Sequence, residues 1–208
     1  MSYLEILKNS IAELVEDFRS NPFDYLYEAD LQAALFSIAR AKFKSKEMAI
    51  WMEGGYHASG LFPDKYAVGT TPVKCEYPSG KRFDIAIIDP KRVEPFESTR
   101  ARTEGWKNER FWAQPLCAAV EIKYLQLGDR LNHRAAGLKS DLAKLKGYQF
   151  ADPGFCGIAM LFVQASAQYS EKPCDGMEKI KDISAVSEGF YVAVIGPTEM
   201  SWYRAKSA

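Results

Sequence analysis

Two strongly apolar runs carry charged residues where charge is expensive. Asp84 lies in Arg82-Phe83-Asp84-Ile85-Ala86-Ile87-Ile88, and Glu121 and Lys123 lie in Ala118-Ala119-Val120-Glu121-Ile122-Lys123-Tyr124. Both runs are short and rich in β-branched residues, the pattern of strands covered on both faces. An unpaired charge there is costly, so each needs a partner or a metal. The period of two along a strand points Glu121 and Lys123 to one side, and Val120 and Ile122 to the other. Two carboxylates on neighbouring strands, with an ammonium beside them, offer hard oxygen ligands for a divalent cation and a group that can orient water or offset phosphate charge.

The rest of the chain suits a globular setting for such a site. Its 208 residues are enough for one domain with a full core, and we expect a single domain over 1–208. Hydrophobic residues make up 47% and charged residues 26%, a composition ordinary for a globular protein that argues against disorder. The formal net charge is zero, so any nucleic-acid surface has to be local. Cys75, Cys117, Cys156 and Cys174 form no CxxC pair, and three of them fall in strand-like runs, as reduced thiols do. The amphipathic, acidic start has no signal-peptide character, and no apolar stretch is long enough for a bilayer. A cytoplasmic location and no membrane partner are expected.

Leu4, Leu7, Ile11, Leu14, Val15 and Phe18 predict an amphipathic helix over 3–19. Ser20-Asn21-Pro22 breaks it, and Leu31, Leu35, Ile38 and Ala39 predict a second helix over about 23–43. Glu28 is in line with that apolar stripe, an anomaly for an acid; a first-turn Glu favoured by the helix dipole is its ordinary explanation. Residues 66–77 and 81–89 read as a hairpin about Pro78-Ser79-Gly80, 117–125 as the next strand, and 128–149 as a helix. Strands over 155–164 and 190–195 follow. The expected class is α/β, in the order α-α-β-β-β-α-β-β, with a mixed central sheet flanked by helices. Residues 90–115 read as a long insertion in which Arg92, Arg100, Arg102, Lys107 and Arg110 alternate with Phe96, Trp106, Phe111 and Trp112. Cations among aromatics suit contact with nucleic acid, with Arg100, Arg102 and Lys107 as its candidates, or a dimer arm; Glu94, Glu97, Glu104 and Glu109 among them fit a solvated loop packing its own aromatics equally well. The two histidines, His57 and His133, are too few and too featureless for a His-ligated metal centre or a Ser-His-Asp triad.

Asp84 followed on a later strand by Glu121-Ile122-Lys123 resembles the signature of the PD-(D/E)xK phosphodiesterase superfamily, the restriction-endonuclease-like nucleases. The phrase Val73-Lys-Cys-Glu-Tyr-Pro-Ser-Gly-Lys-Arg-Phe-Asp84 is similar to the hairpin that delivers the family's Asp. Ser140-Asp-Leu-Ala-Lys-Leu145 is similar to the helix that follows its Glu-x-Lys strand, and Glu28 resembles the acid that many members carry on the first core helix. The likeness spans about residues 23–165, with Phe83 where the motif often has Pro. It implies a restriction-endonuclease-like core and metal-dependent hydrolysis of DNA phosphodiester bonds, leaving a 5′-phosphate and a 3′-hydroxyl. It further implies Asp84, Glu121 and the Ile122 carbonyl as ligands of Mg²⁺, with Mn²⁺ a substitute, and Lys123 and Glu28 as catalytic partners. DNA is the implied substrate, with a homodimer or an accessory protein to help grip it. The alternative is a non-catalytic module that binds nucleic acid or protein and keeps the nuclease fold.

Overall fold

In a computed structural model of the chain, the structure describes residues 3–54, 73–77, 83–88, 116–126, 131–152, 154–164, 190–197 and 200–204. Two helices, α1 (Tyr3–Ser20) and α2 (Glu28–Gly54), lead into β1 (Val73–Tyr77), β2 (Phe83–Ile88) and β3 (Leu116–Leu125). Helix α3 (Leu131–Ala151) follows, then β4 (Cys156–Val163), β5 (Phe190–Ile195) and β6 (Met200–Arg204). The six strands form one sheet in chain order. β1, β2 and β3 pair as an antiparallel meander, β3-β4 and β4-β5 are parallel, and β5-β6 is antiparallel again. The α/β class and the mixed sheet are as expected.

The sheet is a layer between two cores, and strand alternation explains both. Ile85, Ile87, Ala118, Val120, Ile122, Tyr124, Ile158, Met160, Phe162, Ala193 and Ile195 pack against α1 and α2. The intervening Ala86, Ala119, Leu125, Ala159, Leu161, Val163, Val192 and Val194 share the other core with Leu138, Leu142 and Leu145 of α3. Every residue of β4 is buried, as a strand covered on both faces requires. Phe18 is the meeting point of the first core, its ring lying edge-on to Tyr124 at 6.2 Å and to Phe162 at 5.0 Å. Ser10 is a polar residue on the buried face of α1; its hydroxyl donates to the Ile6 carbonyl at 2.8 Å, so it costs little.

Two expectations need correction. The second helix does not begin near Phe23 and does not end at Phe43: it runs from Glu28 to Gly54. Tyr25 is drawn into the core beside Phe18, at 5.7 Å between rings, and its hydroxyl donates to Asp17, which holds residues 22–27 out of helical conformation. Asp30 then starts the helix, accepting from the Tyr27 N–H at 2.9 Å and the Leu26 N–H at 2.8 Å, the reach-back of a capping box. The second correction is an additional strand, β6, after Gly196-Pro197. The hairpin turn, residues 66–72 and the insertion at 90–115 lie outside the described residues, and so do Arg100, Arg102 and Lys107. No described helix is long and apolar enough to cross a membrane.

Candidate functional site

The ladder between β2 and β3 pairs Ile85 with Val120 and Ala86 with Ala119, so continuing it by one step sets Asp84 opposite Glu121. At that step the Asp84 side chain replaces part of the ladder: its Oδ2 accepts from the Ile122 N–H at 2.7 Å. The Asp84 carbonyl accepts from Gln32 Nε2 of α2 at 3.0 Å. Glu121 points into the layer between the sheet and α3 and is 2% exposed. Opposite it on β4 stands Ala159, whose small side chain leaves room for the carboxylate.

Lys123 emerges two residues further along the same face. Its Nζ meets Glu28 Oε1 at 2.9 Å and Asp141 Oδ2 at 3.0 Å, and donates to the Ile122 carbonyl at 3.1 Å. Glu28 reaches it because the segment before α2 is fastened to the end of β3. The Tyr124 hydroxyl donates to the Tyr25 carbonyl at 2.8 Å, and Gln126 Nε2 donates to the Leu26 carbonyl. A second ammonium comes from α3: Lys144 Nζ contacts Glu121 Oε1, stands 3.6 Å from Asp141 Oδ1, and lies 5.2 Å from the centre of the Phe83 ring. The Lys123 stem passes close over Gly137 of α3, where a Cβ would sit 3.5 Å from Cε, at ordinary van der Waals distance.

The electrostatics follow from confinement. Burial, and then the charge of Asp84, push the Glu121 carboxyl up to about 8, against the pull of the Lys144 ammonium. Asp84 is also raised, chiefly by burial, with Glu28 and Asp141 adding to it and the Ile122 N–H and Lys123 opposing. Burial alone would lower Lys123, but its hydrogen bonds to Glu28 and Asp141 outweigh that and hold the ammonium firmly protonated. Glu28, Asp84, Glu121 and Asp141 set against Lys123 and Lys144 leave this cluster a formal charge of minus two when all are ionised. Among the described residues, no three or more His, Cys, Asp or Glu side chains group as a metal cage. The available donors are the paired Asp84 and Glu121 and backbone carbonyl oxygen.

No protein-family model, curated protein or solved structure matches the chain. The structure brings Asp84, Glu121, Ile122, Lys123 and Glu28 together, and adds Asp141 and Lys144, two residues of the 140–145 phrase to which no role was assigned from sequence. A signal for them existed. Asp141 is three residues after Leu138 and four before Leu145, the same intrusion of an acid beside an apolar stripe that drew attention to Glu28.

Proposed function

We propose that the chain is a divalent-metal-dependent nuclease of the restriction-endonuclease-like, PD-(D/E)xK type, hydrolysing DNA phosphodiester bonds. The observation that carries this reading is the pairing of Asp84 with the almost wholly buried Glu121, in a cluster whose formal charge is minus two once all its groups are ionised. A divalent cation would neutralise that charge, and hard carboxylate oxygens suit Mg²⁺ or Mn²⁺. The residues fit the ion. Asp84 and Glu121 would hold it, with the Ile122 carbonyl as a further oxygen. The order α2-β1-β2-β3-α3-β4 also supports the likeness to the superfamily's core.

When bound, such an ion lowers the pKa of water and withdraws charge from the scissile phosphate. The remaining work falls to the chain's own groups. Lys123 Nζ, fixed between Glu28 and Asp141, orients the attacking water and offsets the negative charge that grows on the phosphate oxygens. Glu28 and Asp141 keep that ammonium charged and in place. The buried apolar floor beneath the acids strengthens each of these interactions by keeping bulk water out. Products would carry a 5′-phosphate and a 3′-hydroxyl. Arg100, Arg102 and Lys107 are the candidates for gripping the backbone.

The test is a cleavage assay with Mg²⁺ and with Mn²⁺ on linear duplex, circular duplex and single-stranded DNA, with a chelator control. Metal-dependent cleavage of at least one form, lost in Asp84→Asn, is the expected result. Metal and DNA binding without any cleavage would favour the non-catalytic module instead.

A further inference from the structure

Lys144 is not part of the Asp-Glu-x-Lys set, yet it makes the closest approach to Glu121. Its ammonium contacts Glu121 Oε1 in the space where that carboxylate faces Asp84, and Asp141 Oδ1 is its second acid at 3.6 Å. The Glu121 side chain is 2% exposed, so a carboxylate ionised there depends on a cation close at hand. Lys144 has a second seat as well. It stands over the Phe83 ring, which is itself fixed by edge-on and tilted contacts with Tyr148 and Phe155. An ammonium over an aromatic face keeps part of its stabilisation after losing an anion.

We propose that Lys144 is a stand-in cation: it occupies the Glu121 oxygen while the metal is absent, and it gives up that oxygen when a divalent ion binds. The inference rests on the metal site proposed above. A divalent ion on Glu121 repels an ammonium in contact with the same oxygen, so the two cannot share it at close range. The displaced ammonium settles between Asp141 and the Phe83 face, one flexible side chain's swing away. Lys144 is thereby a positioning residue that preserves the acid pair in the empty protein and sets how tightly metal binds. Lys123 cannot serve in its place, because its ammonium is committed to Glu28 and Asp141.

The experiment uses Mn²⁺ alone, titrated calorimetrically into the whole chain as wild type, Lys144→Gln, Lys144→Arg and Lys123→Gln. In parallel, the side-chain ammonium resonances of Lys144 and Lys123 are followed by NMR in wild type as Mg²⁺ is added. Lys144→Gln is expected to bind Mn²⁺ roughly tenfold more tightly or better, because a competing charge is gone. Its metal-free form should also melt at a lower temperature. Lys144→Arg should bind like wild type, and Lys123→Gln should tighten binding less than Lys144→Gln does. In wild type the Lys144 resonance should move with added Mg²⁺ and the Lys123 resonance should move less. If wild type binds the ion while Lys144→Gln binds it equally or more weakly, the stand-in role is overturned and the metal site stands. If Lys144→Gln does not fold, an unmoved Lys144 resonance in the wild-type titration overturns the role equally. A wild type that takes up no Mn²⁺ overturns the metal site, and the stand-in role with it.

Discussion

Lys123 is gripped from two sides, by Glu28 of α2 and Asp141 of α3, and a protonated ammonium has no lone pair to offer a metal. Its role and that of the acids should therefore separate on mutation. Lys123→Ala is expected to slow single-turnover cleavage by well over tenfold, or more than ~1.4 kcal/mol of barrier, while metal affinity is kept or increased. A variant that still cuts within about tenfold of wild type removes Lys123 from the mechanism. Glu121 gives a pH signature. Its carboxyl is raised in the folded protein, so the metal-free chain binds a proton there more tightly folded than unfolded. The stability this contributes is full below the usual carboxylate range and is lost as pH rises through about 8. In the presence of a chelator the melting temperature should fall across that window, and Glu121→Gln should flatten the fall; a flat wild-type profile would contradict the buried acid. Asp84, Glu121 and Lys123 were legible in the sequence because charge inside an apolar strand has few innocent explanations. Asp141 and Lys144 were harder to see, because a helix surface normally carries acids and lysines and only the tertiary fold shows which of them turn inward.

At the scale of elements, the segment before α2 couples the first core to the site. Tyr25 buries beside Phe18, the Tyr124 hydroxyl holds the Tyr25 carbonyl, and Asp30 caps the helix whose first residue is Glu28. Asp30→Ala and Tyr124→Phe should each cost about 1 kcal/mol in chemical denaturation, from a lost cap and a lost hydrogen bond respectively. Both should weaken cleavage through Glu28 and Lys123 while leaving metal affinity near wild type; unchanged stability in both would contradict the fastening described. The late start of α2 was hidden from sequence because Pro22 is equally at home in a turn and in a first helical turn, and tertiary burial of Tyr25 decided between them. β6 was hidden for a different reason. Met200-Ser-Trp-Tyr-Arg204 is short and lacks a clean alternation, and its strand conformation comes from pairing with β5.

For the whole molecule, the meander β1-β2-β3 and the parallel β3-β4 pair joined through α3 place both acids on adjacent central strands, between helical layers. The near-continuous apolar runs of β3 and β4 announced strands covered on both faces, and the α/β class followed from the order of elements. Beyond the β1-β2 hairpin, which the turn residues marked as antiparallel, strand direction was not legible, since parallel and antiparallel neighbours present the same apolar pattern along a single strand. The same architecture explains why the acids can be kept at all: a buried pair of carboxylates repels itself, and a fold retains such a pair when a cation repays the cost. The proposed chemistry stands or falls on whether Asp84 and Glu121 hold a divalent ion. Calorimetric titration of Mn²⁺ into wild type and Asp84→Asn tests it most directly, with thermal unfolding alongside to show that both are folded. One ion per chain is expected in wild type, and no measurable binding in an Asp84→Asn protein that is as stable as wild type or more so. Equal Mn²⁺ affinity in the two proteins would contradict it.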